Sequence, residues 1–561
     1  MARFSTSQHR SGPARPASAG SLIQGGAAFL WLPQAALIAW AVQRLSAGEG
    51  MAAVLLPAAG IVALGAARAF CEAWGARRVF DAARIGVSAL RADVVDALSA
   101  RSPLDRTRAA SGEAASVIAE QAEAVLPYWV RYEPARWRVM VVPPAILLVV
   151  AWLSWAAAVV LLFAAPLIPV FMAVVGWRAR AASAAQMVEM GGMNAFLLDR
   201  LRGLATLRAL GAVDATARRL RESAESLRVR TMAVLRIAFL SSAVLELFSA
   251  LGVAMVAAYV GFHLLGTFEF GSWGRRLDLA EGLFILLLAP AFFEPLRDLS
   301  AVWHDRAAGE AALDSLDRLA RGGVPLPGAN AQAQSPQVFP EEPPDVQVRG
   351  LFFAHPGERA LFEDLDLRVA PGEHVALMGP SASGKTALLS LLAGLLPAGR
   401  GEIAIGGVPV SDRAIGGLRA RIGWMGQRPH VFAGSVESNV ALGRPGVRAG
   451  EVESAMRFAS LDEVAQAHPS STLGEGGTGL SGGEAVRLAL ARMAVQPGAD
   501  LLLVDEPTAH LDSQTADRVA DALLELARGK TLVLSTHDPL LAARMHRVIR
   551  LDGGMSTKEA A

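Results

Sequence analysis

Three short segments in the last third of the chain carry residue types whose spacing suits phosphate chemistry. Gly379-Pro380-Ser381-Ala382-Ser383-Gly384-Lys385-Thr386 follows an apolar run from His374 to Met378 and precedes a helix-like run from Ala387 to Leu396. Strand, glycine turn and helix in that order form the setting of a P-loop: glycine lets backbone N–H groups wrap phosphates, Lys385 reaches the β and γ phosphates, and Thr386 offers a hydroxyl to Mg²⁺. The bland alternative, a glycine turn before an ordinary helix, does not need a lysine there, and lysine occurs only at Lys385, Lys530 and Lys558.

A second segment, Leu501-Leu502-Leu503-Val504-Asp505-Glu506, is an apolar strand ending in two acids. Such a strand delivers Asp505 to the edge of a sheet, where it can hold a Mg²⁺ hydration shell, and leaves Glu506 to polarise an attacking water. Alone it is a weak signal, since buried strands often run into acidic turns. Its distance from the P-loop strengthens it. His537, just beyond the apolar run Thr531 to Ser535, is placed to contact a γ-phosphate or orient the water; a solvated loop histidine is the alternative. The third segment, Leu480-Ser481-Gly482-Gly483-Glu484, opens an Arg- and Ala-rich helix and supplies a second set of N–H groups with a helix dipole. One nucleotide has no use for two such cradles from the same subunit.

The strands and helices needed to position these groups lie after residue 345, where short apolar runs alternate with helical ones, the pattern of a buried parallel sheet. The rest of the chain is different. Overall, 53% of the 561 residues are hydrophobic and 19% are charged, with a mean hydropathy of +0.36, which excludes a disordered chain and speaks against one water-soluble globule. The apolar residues pool before residue 300. Uncharged or nearly uncharged stretches at Gly20 to Gln43, Met51 to Ala67, Val139 to Trp177 and Ile237 to Phe268, with the shorter run Gly282 to Phe293 extended to Leu277 and Leu299, predict six spans, the third stretch being a helical hairpin with a turn near Ser154. The first is too long for a cleaved signal peptide.

Arginines cluster between Arg68 and Arg138 and between Arg178 and Arg236, whereas Arg44 or Arg275 and Arg276 alone mark the other connections. That asymmetry puts both termini in the cytoplasm. The Arg-rich segments keep helical spacing and read as membrane helices prolonged into the cytoplasm, with turns near Ser102 to Gly112 and Gly203 to Ala212 that are either ordinary helix breaks or coupling turns pressed into the cleft beside Gln427. The expected layout is a tail over 1–19, a six-helix membrane domain over 20–320, a Pro- and Gly-rich linker over 321–345 and an α/β P-loop NTPase domain over 346–561. Ionisable residues at membrane depth, Arg68, Glu72, Arg77, Glu246, Glu294, Arg297 and His304, point to a polar pathway unless they merely pair with neighbouring helices or reach headgroups. A net charge of +1 gives no chain-wide field for nucleic acid, and the single cysteine, Cys71, excludes an intramolecular disulfide.

Gly379 to Thr386, Gln427, Leu480 to Glu484, Asp505-Glu506 and His537, in this order and at these separations, resemble the nucleotide-binding domain of ABC transporters. With six spans ahead of it, the chain resembles an ABC exporter half. The resemblance implies that Ser481, Gly482 and Gly483 of one subunit close over ATP held by the P-loop of another. It implies that Gln427 senses the γ-phosphate, joins Thr386 and Asp505 around Mg²⁺ and couples to the membrane part, while Ala509 to Asp512 communicate across the dimer. The family stacks an aromatic on adenine near the start of this domain; here Phe352-Phe353-Ala354-His355-Pro356 puts His355 at that position. Little of the family's terminal helices follows Val548 to Leu551.

Within the exporters, the text around Pro166 to Gly176, Leu235 to Phe248 and Leu286 to Leu299 resembles the CydD type of half-transporter. This similarity implies a heterodimer with a CydC-like half in the bacterial inner membrane, exporting cysteine and glutathione to the periplasm in support of cytochrome bd assembly, with haem as a further ligand or cargo. The competing expectations are a homodimeric lipid or drug exporter and an ATP-gated regulatory membrane subunit.

Overall fold

The computed structural model of the chain describes residues 19–561 apart from 110, most of 167–202, 330–341, 412–413, most of 462–479, 552–557 and 560–561. It divides into two compact units: residues up to Val94 with Ala110–Leu319, and Val95–Ala109 with Ala320–Ala561.

The first unit is helical. Five helical stretches are long and apolar enough to cross a membrane: Ala19–Ser46, Met51–Ser99, Ser111–Leu153, Glu246–Leu264 and Leu279–Arg321. The shorter helix Trp155–Ala164 begins the expected fourth span, whose remainder to Trp177 lies outside the described residues. Leu148, Trp152 and Phe163 stand largely exposed, a placement that costs little only if lipid replaces water around them. Two helices run far past any bilayer thickness, Leu55–Ser99 with 45 residues and Val213–Leu264 with 52. At 1.5 Å per residue these are about 68 and 78 Å long, so Arg68 to Arg91 and Arg218 to Arg236 continue the spans as helices.

Local chemistry sets the breaks. The helix Glu133–Leu153 ends where Ser154 turns extended; its Oγ accepts from the Ala157 N–H and starts Trp155–Ala164. The same hydroxyl donates to the Gly271 carbonyl at 2.7 Å, while the Tyr259 hydroxyl donates to the Phe270 carbonyl at 3.0 Å, tying this hairpin tip to the loop after Val213–Leu264. Asp278 and Glu281 form a reciprocal capping box at the start of Leu279–Ala301. Gly252 lets two helices approach closely: a Cβ there would lie 2.5 Å from the Phe293 ring.

The second unit contains two sheets. An antiparallel sheet has the order β2-β1-β4-β5, where β1 is Val346–Ala354, β2 Ala360–Val369, β4 Arg400–Ile405 and β5 Val408–Pro409. The larger sheet runs β10-β9-β3-β8-β7-β6, with β3 His374–Met378, β6 Ile422–Met425, β7 Leu501–Asp505, β8 Thr531–Ser535, β9 Arg547–Arg550 and β10 Lys558–Glu559. From β6 to β9 every pairing is parallel. Strands β7 and β8 are buried at all five positions, which is why they read as unbroken apolar runs.

Val95–Ala109, the turn between two long helices of the membrane half, belongs to this unit, which a linear division at residue 320 does not anticipate. The Ser102 N–H donates to the Val324 carbonyl and the Leu326 N–H to the Ala100 carbonyl, both at 2.9 Å, while Asp105 accepts from the Val324 N–H at 2.7 Å. The start of the expected linker is thereby an ordered strap on this turn. Burial opposes the Asp105 charge, but hydrogen bonds from Thr107 and Val324, helped by Arg101, hold its carboxyl below the usual carboxylate range. The other expected coupling turn contains the short helix Leu204–Ala209.

Candidate functional site

Four neighbouring parallel strands deliver the chemistry. In the order β6-β7-β8-β3 their carboxyl ends lead to Gln427, to Asp505-Glu506, to His537 and to the P-loop. Parallel sheets gather their functional loops at that edge, and the register pairing Asp505 with Ser535 aligns the ends.

The loop Gly379–Gly384 is shaped by its glycines. Gly384 sits at φ +94°, with a would-be Cβ 2.7 Å from the Phe362 ring; a Cβ on Gly379 would meet the Leu551 carbonyl oxygen at 2.4 Å. Only glycine fits either place. Lys385 and Thr386 open the helix Lys385–Leu392, two residues earlier than the apolar run suggested, because the helix starts inside the motif itself. Lys385 is buried and its Nζ donates to the carbonyls of Gly379 at 2.9 Å and Pro380 at 3.0 Å. Burial pulls its ammonium below the ordinary lysine range, opposed by Glu506 and Asp505. Ser383 is buried as well, and its Oγ has no hydrogen-bond partner among the described residues. An orphaned hydroxyl in this glycine-shaped loop fits a phosphate oxygen.

Thr386 Oγ1 donates to Asp505 Oδ2 at 2.8 Å, and the Ser535 hydroxyl donates to Asp505 Oδ1. This pair of oxygen donors suits a hard divalent cation, and Mg²⁺ bound there would neutralise charge on the β and γ phosphates. Glu506 has φ +49°, an uncommon left-handed conformation held by its N–H, which is within reach of both the Ser535 carbonyl and hydroxyl at 3.1 Å. Its carboxylate is spanned on both sides: Gln427 Nε2 lies 3.0 Å from Oε2 and His537 Nε2 lies 3.0 Å from Oε1. Such a carboxylate is oriented, partly shielded and open toward the P-loop, as a group that polarises water must be.

These residues line one cavity of about 580 Å³, walled by Ser381 to Ala387, His355, Gln427, Glu506 and His537. His355 follows β1, with its ring edge-on to Phe353 at 5.0 Å. Burial, then Arg106, push its pKa below the ordinary histidine range, against Glu358, so a neutral ring faces the cavity at pH 7. Ser481, Gly482 and Gly483 are not in the wall. Ser481 instead caps the helix Gly482–Ala494 in a reciprocal box with Glu484, presenting its N–H edge elsewhere.

Three contributors escape a motif reading. Ser535 clamps Asp505 and Glu506 together, and its only signal is a hydroxyl ending an otherwise apolar strand. Leu104 and Arg106, from the turn after Leu55–Ser99, complete the cavity wall; Arg106 pairs with Glu358 at 2.6 Å, and Ser102 Oγ donates to the Leu395 carbonyl at 2.6 Å. Nearly three hundred residues separate Ser102 from Leu395, too far for any local pattern to show.

Residues 362–509 match the ABC transporter family and residues 136–273 the ABC transporter transmembrane region. The chain is 37% identical to transport ATP-binding protein AarD of Providencia stuartii, over 79% of this chain and 75% of that one. It is 36% identical to the glutathione/L-cysteine transport system ATP-binding/permease protein CydD of Escherichia coli, over 80% and 76%. Against the CydC protein of the corresponding system in Bacillus subtilis it is 29% identical over 84% and 81%. A bacterial Atm1-family ABC exporter solved with ATP bound shares the fold, with a TM-score of 0.76 at 22% identity over 96% of this chain and 92% of that one. The chain therefore belongs to the ABC exporters, as a multi-pass membrane half-transporter whose ATPase domain couples ATP hydrolysis to transport.

Proposed function

We propose that this chain is the CydD-like half of a heterodimer with a CydC-like half, moving cysteine and glutathione across the bacterial inner membrane to the periplasm in support of cytochrome bd assembly. What carries the reading is similarity above one third over four fifths of the chain to a relative named for glutathione and L-cysteine transport. Haem is a secondary ligand or cargo in this reading. The ATPase domain faces the cytoplasm.

In the working cycle, Ser381 to Thr386 cradle the phosphates of ATP, Lys385 neutralises the γ-phosphate, and His355 packs on adenine. Thr386, Asp505 and Gln427 hold Mg²⁺, directly or through water. Glu506 polarises the attacking water, and His537 orients it and steadies the Glu506 carboxylate. Ser481, Gly482 and Gly483, which lie outside this chain's own cavity, close over the partner's nucleotide. ATP then joins the two halves and hydrolysis frees them.

Co-expression of this chain with its candidate partner half, followed by purification and thiol uptake into everted membrane vesicles, tests the whole reading. ATP-dependent accumulation of cysteine or glutathione by the mixed complex is the expected result. Recovery of self-associated chains only would overturn the heterodimer and favour a homodimeric exporter; a mixed complex without thiol movement would overturn the cargo.

A further inference from the structure

The helical unit contains a cavity of about 390 Å³ that carries both signs of charge. Its wall includes Trp31, Arg68, Glu72, Arg138, Glu294 and Asp298. Arg77, Glu246, Arg297 and His304, the other ionisable residues near the spans, do not line it. Trp31, Arg138 and Glu294 each stand fifteen residues from the hairpin-side end of their helices, at Ser46, Leu153 and Leu279. At the helical rise that is about 22 Å, so three separate helices bring polar groups to one depth.

Arg68 is satisfied: its Nε meets Glu72 at 3.0 Å and its guanidinium lies over the Trp31 ring. Arg138 is not. Its Nε is buried without a hydrogen-bond partner among the described residues, and so is the indole Nε1 of Trp31. Two residues of the wall thus each hold an unsatisfied donor. In the same wall, Glu294 and Asp298 lie one helical turn apart and form no ion pair among the described residues. Pro290 and Pro295 lie inside the same helix and lack the N–H groups that would engage the carbonyls of Leu286 and Ala291, two further wall residues. Carboxylates and released carbonyls are what an ammonium group seeks.

We propose that this cavity binds a small amino-acid-type zwitterion by its two charged ends, Arg138 and Trp31 taking the carboxylate and Glu294 with Asp298 taking the ammonium. The inference rests on the small-thiol reading above and adds how that cargo is read. No Cys, Met or His is among the described residues of the wall, so recognition falls on the charged backbone end of the molecule and not on sulfur.

The test is direct binding to the full transporter with its partner half, purified in detergent, using four probes. L-cysteine has both charges and a thiol, L-serine both charges and no thiol, cysteamine only the ammonium, and 3-mercaptopropionate only the carboxylate. Serine is expected to bind within a few fold of cysteine, and the two single-charge thiols about tenfold or more weaker. Thiols binding alike whatever their charges, or no binding by either amino acid, would overturn the proposal. Arg138→Gln and Glu294→Gln are each expected to weaken both amino acids about tenfold. Unchanged affinity in a monodisperse variant would also overturn it. Should either variant fail to fold, the four-probe series on the unaltered transporter still decides. Equal binding of both amino acids without ATP-dependent thiol movement would leave this site standing and remove the thiol-cargo reading, whereas thiol movement that neither Arg138→Gln nor Glu294→Gln slows would do the reverse.

Discussion

In the ATPase unit, the groups proposed to handle nucleotide leave the ends of four adjacent strands and reach one another directly, Thr386 donating to Asp505, Gln427 donating to Glu506, and His537 lying 3.0 Å from Glu506. In the helical unit, charged residues arrive one or two at a time from separate helices, and Arg138, Glu294 and Asp298 have no ion-pair partner among the described residues. Both regions concentrate charge. The first forms a closed set of contacts within this chain, proposed to serve one reactant, a triphosphate, once a partner half caps it. The second leaves donors and acceptors unspent. An ionisable residue at the centre of a membrane helix costs about 2.5 to 3.5 kcal/mol and less toward the interface, so the three without an ion pair, Arg138, Glu294 and Asp298, are hard to account for as packing alone.

The largest expected effect tests the ATPase side. Lys385→Ala should lower ATP hydrolysis by the purified complex by about 100-fold or more, because it deletes the buried cation that meets the β and γ phosphates. Near-normal turnover would show that the closed geometry is not the working one. Glu506→Gln keeps the shape and the contact with Gln427 but removes the base. Hydrolysis should drop by about 100-fold while ATP still binds, leaving trapped nucleotide that can be counted in the isolated dimer. Loss of binding as well would mean that Glu506 supports the loop instead of the water.

Smaller effects probe the margins of that site. His355→Ala should raise the KM for ATP about tenfold with kcat little changed, and His355→Phe should restore it, since base stacking needs a flat ring and no charge. The sign of the pH effect follows from the depressed pKa. The neutral ring is retained above histidine's ordinary value of about 6.5, and its contribution is lost as pH falls through the lower folded value. ATP affinity should therefore be flat from pH 8 to about 6.5 and weaken in more acid solution, a trend that His355→Phe should remove. Ser102→Ala, which deletes the hydrogen bond to the Leu395 carbonyl, is expected to cut transport per ATP about threefold while hydrolysis persists, as measured by uptake and phosphate release on the same vesicles.

The two regions also differ in how far they were legible beforehand. The P-loop, the acids after β7 and His537 announce themselves because each depends on a few consecutive residues after an apolar strand, and β3, β7 and β8 fall where the apolar runs predicted. Ser535 carries no such signature; it matters because the β7–β8 register sets it beside Asp505. The cavity was half visible. Arg68, Glu72 and Glu294 stand out as charges in apolar text, but Arg138 sits at the edge of an Arg-rich stretch, and nothing local groups it with Trp31 or with Glu294 about 150 residues away. Five spans were recovered among the described residues; the fourth was recovered only in its first part, since the rest lies outside them.

Sequence by itself determined the reaction class and the membrane character, because both rest on short-range properties: dihedral freedom at glycine, residue chemistry within a motif, and hydrophobic run length set against bilayer thickness. Only the tertiary structure decided which side chains share a space. Helix and strand packing bring together residues separated by tens to hundreds of positions, and no local pattern encodes that proximity. It placed Leu104 and Arg106 in the nucleotide wall, kept Ser481 out of it, and gathered donors and acceptors from separate helices around one polar cavity.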